Sequence, residues 1–113
     1  KQGELESEIL GCLWDRPEGL TSQQILAMLG DDELAITTVL TVLSRLTDKG
    51  LVGREQASGR TFLFKSTSSR EQHTASMMLT ALKKTENPDM VFSHLLSGLS
   101  QAQIESLKRK LND

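Results

Sequence analysis

The stretch LAITTVLTVLSRLTDKGLV, residues 34–52, constrains the fold of this chain more than any other. At about 100° per residue, Ile36, Val39, Leu40, Leu43 and Leu46 gather on one side of a helix and make its expected core face. Thr37, Thr38, Thr41, Ser44 and Arg45 gather on the other side, and Lys49-Gly50 closes the helix. Threonine is a mediocre helix former, because its branched β-carbon stiffens χ1 against the preceding turn. A face made only for water is built from Glu, Lys or Gln. A face of short hydroxyls and one guanidinium suits a surface that comes close and offers hydrogen-bond partners.

The flanking segments say what holds this helix. Residues 4–15, ELESEILGCLWD, place Leu5, Ile9, Cys12 and Leu13 on one helical stripe that Pro17 and Gly19 end. In LTSQQILAMLG, Thr21 and Gln24 form a capping box, Leu20 and Ile25 a hydrophobic staple, and Gly30 the stop. The result is a second helix of about two turns, a turn at DDEL, and then the threonine-rich helix. From Leu51 the period changes to two. LVGREQA and RTFLFKS read as strands around a Ser58-Gly59 turn, with Phe62 and Phe64 on one side and Thr61, Leu63 and Lys65 on the other. Helix, short helix, turn, helix, hairpin is the order of a winged helix-turn-helix. The fold class expected is mainly α with a small β-hairpin, with the winged-helix DNA-binding domain over 1–66 and a C-terminal helical dimerisation region over 67–113.

The last 48 residues carry three amphipathic segments. SSREQHTASMMLTALKKTE starts with a box of Ser68 and Glu71, and Ala75, Met78, Leu79 and Leu82 form its stripe. Asn87-Pro88 opens a helix expected to bury Val91, Phe92, Leu95 and Leu96. GLSQAQIESLKRKL has a second box in Ser100 and Gln103, a staple of Leu99 and Ile104, and an apolar line through Ile104, Leu107 and Leu111. A unit this small is marginal alone. Burial against a second copy is the simplest remedy, through Met78, Leu79, Leu82, Phe92, Leu95, Leu96, Leu107 and Leu111. Folding back on the winged domain is the other.

Charge and composition exclude several classes. The net charge of −2 hides a gradient. Residues 1–33 hold two bases, Lys1 and Arg16, against eight acids. Residues 34–65 hold Arg45, Lys49, Arg54, Arg60 and Lys65 against Asp48 and Glu55, and residues 66–113 hold six bases against five acids. The middle third alone is clearly electropositive. Cys12 is the single cysteine, which removes intrachain disulfides and CxxC metal sites, and its apolar neighbours make it a small core residue. His73 and His94 stand apart from other ligands, so no metal or other cofactor is expected. No nucleophile–base pair or phosphate loop points to an enzyme, and capping accounts for Ser68 and Ser100. No apolar run nears the roughly 18 residues that span a bilayer, and no basic-then-apolar leader opens the sequence, so membrane insertion is not expected and the cytoplasm is. Lys1 in place of an initiator Met leads us to expect a few residues ahead of it.

A helix in the major groove needs short side chains that hydrogen-bond bases or phosphates. Thr37, Thr38, Thr41 and Ser44 supply hydroxyls, threonine adds a methyl for the thymine methyl, and Arg45 suits guanine or phosphate. Arg60 beside Gly59 would reach phosphates or the minor groove from the hairpin tip. The amides at Thr21 to Gln24 offer a phosphate site, although capping alone explains Thr21. The acidic first third keeps an alternative open: a winged-helix module that docks on protein and has no sequence-specific hold on DNA.

AITTVLTVLSRLTDKGLV followed by GRTFLFK resembles the penicillinase-repressor (BlaI/MecI) family, whose members read TTVLT-L-RL--KGLV and then a GR--Y-Y wing strand. ELESEILGCLWD is similar to that family's first helix, E--I---LW, and LSQAQIESLKRKLND to its last. The resemblance covers essentially the whole chain. It implies a homodimeric bacterial repressor of antibiotic-response type on a palindromic operator, with contacts from Thr37, Thr38, Thr41, Arg45 and the wing's Arg60. Ile36 stands where relatives often have an aromatic, and Phe62 and Phe64 where they have wing tyrosines. In β-lactam-responsive relatives a membrane sensor protease leads to cleavage of an Asn-Phe bond in the C-terminal region. Here Val91 precedes Phe92, and the cysteine-rich metal tail of copper-responsive relatives is missing too.

Overall fold

In a computed structural model, which describes residues 2–113, the chain forms six helices and one hairpin. The elements are α1 (Gln2–Asp15), α2 (Ser22–Leu29), α3 (Ile36–Asp48), β1 (Val52–Ser58), β2 (Thr61–Ser66), α4 (Arg70–Lys83), α5 (Pro88–Gly98) and α6 (Gln101–Leu111). Lys1, counted in the charge of the first third, lies outside the described residues. Two compact units divide the chain between His73 and Thr74.

The core of the first unit is built from Ile9, Leu10 and Leu13 of α1, Ile25 of α2, Val39, Val42, Leu43 and Leu46 of α3, and Phe64 of the hairpin. Cys12 is buried with them, and burial, followed by the nearby Asp15 and Glu8 carboxylates, pushes its thiol pKa up from 9.0. The second helix starts as its sequence dictates. Thr21 Oγ1 accepts from the Gln24 amide at 3.1 Å, and Gln24 Oε1 accepts from the Thr21 amide at 2.9 Å. Gly30 ends it at φ +67, a backbone region that costs a side-chain-bearing residue energy.

The phase of α3 differs from the expected one. Its buried residues are Val39, Val42, Leu43 and Leu46, while Leu40 is 43% exposed. Residues 39, 42, 43 and 46 form an i, i+3, i+4, i+7 line, and Leu40 lies about 110° from the centre of that line at 100° per residue. Val42 fills the place that Leu40 was expected to take.

The hairpin is antiparallel, with Arg54 opposite Phe64 and Gln56 opposite Phe62. Its turn falls one residue later than Ser58-Gly59. Ser58 pairs with Thr61, a bulge sits between Gln56 and Ser58, and Gly59 adopts φ +55 beside Arg60 at the tip. The last helix cap of the first unit also moves by one residue. Ser69 and Gln72, rather than Ser68 and Glu71, make the reciprocal bonds at 3.0 and 2.8 Å. The Ser68 carbonyl is occupied elsewhere, accepting from Trp14 Nε1 at 2.9 Å and from Ser66 Oγ at 2.7 Å. His73 packs against the Trp14 ring at 5.5 Å between centroids. These contacts carry the first compact unit past residue 66 and through His73.

In the second unit Asn87 caps α5 ahead of Pro88, and Ser100 with Gln103 completes the box on α6. Val91, Phe92, Leu95 and Leu96 are not buried as expected, but 38 to 51% exposed. The part of α4 from Thr74 on and two helices of 11 residues each enclose too little volume to cover both faces of their apolar stripes. Met78, Leu79, Leu107 and Leu111 are exposed as well, as are Met77 and Met90, and Leu82 is half-buried.

Candidate nucleic-acid interface

The outer face of α3 is open. Thr37, Thr38, Leu40, Thr41 and Ser44 are exposed, while Arg45 is half-buried on the flank nearer α1. The Thr41 hydroxyl donates to the Thr37 carbonyl at 2.9 Å. Its proton is therefore committed inside the helix, which leaves the hydroxyl oxygen as an acceptor only. No acidic residue lies on this face before Asp48 in the last turn.

The two flanks differ in charge. Thr38 and Arg45 line a groove shared with Glu4 and Glu8 of α1 and Asp31 of the turn after α2. The other flank is a groove without acids, lined by Thr21, Ser22 and Gln23 of the α2 start, Leu40 of α3, and Arg54, Arg60 and Phe62 of the hairpin. Arg54 lies over the Phe62 ring, 4.4 Å from its centroid, so its guanidinium is held in place by a cation–π contact. The structure thus brings Thr21 and Arg60 into one groove and keeps Thr37, Thr41 and Ser44 on the face beside it. Arg45 belongs to the opposite, acid-bearing groove.

Among the bases of residues 34–65, Lys49 and Lys65 are held in ion pairs. Lys49 meets Glu6 at 3.0 Å and Lys65 meets Glu55 at 3.1 Å. Arg54 and Arg60 are the cations that face the wing groove. Sequence reasoning missed Arg54 and Leu40. For Leu40 the signal was present, since it falls within about 60° of both Thr37 and Ser44 on the helix. For Arg54 it was not, because only the hairpin register sets it near Phe62 and the α2 start. His73 lies against Trp14 and His94 on exposed α5, and no metal-competent cluster exists among the described residues.

A two-helix element followed by a core-seated helix with an open polar face and a two-stranded wing defines a winged helix-turn-helix protein. The chain belongs to the penicillinase repressor family, which matches residues 2–113. It is 30% identical to the transcriptional regulator BlaI of Mycobacterium tuberculosis, over 96% of this chain and 81% of that one. Solved structures with the same fold include the Staphylococcus aureus MepR–DNA complex, with a TM-score of 0.54 and 23% identity over 85% of this chain and 79% of that one. A MarR-family regulator from Rhodococcus sp. RHA1 gives 0.52 and 18% identity over 95% and 69%. The molecule is a BlaI-like transcriptional regulator, of a family that is not enzymatic. No helix among the described residues is long and apolar enough to cross a membrane.

Proposed function

We propose that this regulator is a cytoplasmic homodimeric repressor that binds a duplex operator with inverted repeats. One observation carries the reading: the open hydroxyl face of α3 adjoins a groove that holds Arg54 and Arg60 and no acid. That pairing suits a duplex, whose major groove offers hydrogen-bonding base edges between two lines of phosphate. Thr37, Thr38, Thr41 and Ser44 face the bases, with Arg45 at the edge, while Arg60 and the amides near Thr21 hold the backbone. MepR, which shares this fold, has been solved on DNA.

The second unit supplies the pairing. Phe92, Leu95 and Leu96 of α5, Met78, Leu79 and Leu82 of α4, and Leu107 and Leu111 of α6 leave apolar surface uncovered in the single chain. A second copy covers it isologously and presents two α3 helices to two half-sites. The DNA-binding domain, expected over residues 1–66, then runs on through His73, and the helical region after it is the dimerisation region. If a membrane sensor protease relieves repression, as the family resemblance implies, the Val91–Phe92 peptide lies inside α5 and has to be unwound first.

Selection of bound duplexes from a random pool, with gel shifts on the DNA upstream of the protein's own gene, tests this. The reading predicts an inverted-repeat consensus and affinity that falls steeply with salt. Equal affinity for that DNA and for random duplex would overturn it in favour of a protein-docking module.

A further inference from the structure

Leu40 is the anomaly of the α3 surface. It is 43% exposed, lies about 60° from Thr37 and 40° from Ser44 at 100° per residue, and carries no hydrogen-bonding group. In water an exposed leucine gains nothing over Gln or Lys. Leu40 stands on the wing side of the polar face, where it lines both grooves that meet there. Arg54 lines both as well. An apolar side chain between the polar face and two arginines fits one feature of a duplex, because in the major groove only thymine displays an aliphatic group, its C5-methyl.

We infer that Leu40 is a specificity-determining residue that selects thymine at one position of each half-site by packing on its C5-methyl, with Arg54 gripping the adjoining phosphate. The inference rests on the proposed binding of a duplex by α3. The charge of the surroundings favours this occupant over an apolar protein segment, since the two grooves together hold Arg54 and Arg60 against one anion, Asp48, which lies at the far end of α3. Phe62 beneath Arg54 fixes the cation, so that a phosphate docked on it sets the depth at which Leu40 meets the base edge.

Deoxyuridine lacks only that methyl group, so it isolates the contact. Each thymine of the duplex selected from a random pool is replaced in turn by deoxyuridine, and dissociation constants are measured for the wild-type chain and for Leu40→Ala. The expected result is one position per half-site where the wild-type chain loses about fourfold, the worth of one buried methyl, and where Leu40→Ala loses nothing further. Leu40→Gln provides a second variant, which should move the preference at that position from thymine to adenine, whose N6 and N7 suit a carboxamide. Arg54→Ala should weaken selected and random duplexes by the same factor. A scan in which no deoxyuridine penalty disappears in Leu40→Ala overturns the inference while leaving the duplex reading intact. Failure of the wild-type chain to select any sequence removes the duplex reading itself, and this inference with it.

Discussion

Leu20 and Phe64 exchange two backbone hydrogen bonds, Leu20 N–H to Phe64 O at 3.0 Å and Phe64 N–H to Leu20 O at 2.8 Å. This isolated bridge ties the residue before the α2 cap to β2 of the hairpin. It fixes the wing to the start of α2, and the side chains of both residues sit in the core, 5 and 6% exposed. The groove that holds Arg54 and Arg60 exists because of it. Phe64→Ala should destabilise the chain by about 3 kcal/mol or more, the usual cost of emptying a buried aromatic site. Urea denaturation followed by circular dichroism measures this, and an unchanged midpoint would show that the wing is not anchored here.

Thr21 caps α2 and lines the wing groove at once. Thr21→Ala should cost about 1 kcal/mol of stability through the lost cap. Thr21→Ser keeps the hydroxyl and should restore most of it, as read from the same denaturation midpoints.

Cys12 ties stability to alkaline pH. The folded chain holds its thiol pKa above 9.0, so the folded state binds the proton more tightly than the unfolded one. That contribution is complete below the unfolded value and is lost as pH rises from there through the raised folded value. Cys12→Ser should therefore flatten the fall in stability above about pH 9. A thiol-reactive dye should label the folded chain far more slowly than the urea-unfolded one at neutral pH.

The local signals were legible in the sequence, and the tertiary choices were not. The Thr21–Gln24 and Ser100–Gln103 boxes and the Gly30 stop involve residues three or four apart, so chain-local reasoning places them correctly. Ser68 and Ser69 both stand three residues before a box partner, Glu71 and Gln72. What decides between them is Trp14, more than 50 residues away, which takes the Ser68 carbonyl. Helical periodicity likewise showed that α3 has an apolar and a polar side, but Val39, Leu40, Val42 and Leu43 all fit an apolar stripe. The phase was set by the packing of α1, α2 and Phe64. That choice turned Leu40 outward and placed Arg45 among Glu4, Glu8 and Asp31.

The proposed pairing places the exposed apolar side chains of α5 between two copies of the chain. Phe92→Glu and Leu95→Glu, at positions 45 and 40% exposed in the single chain, should leave the first unit folded and shift the protein to monomer. Sedimentation velocity at micromolar concentration reads the shift, and near-native helicity by circular dichroism separates it from unfolding. A wild-type chain that sediments as a monomer would contradict the proposed pairing surface.

The proposed division of labour between helix and wing is tested most directly by one ratio, the dissociation constant for random duplex over that for the selected duplex at fixed salt. The account predicts that a Thr38→Ala, Thr41→Ala double variant lowers this ratio by about tenfold or more while random-duplex affinity holds. Arg60→Ala should weaken both duplexes alike and leave the ratio unchanged. A double variant that keeps the full wild-type ratio would mean that the outward face of α3 does not read the operator.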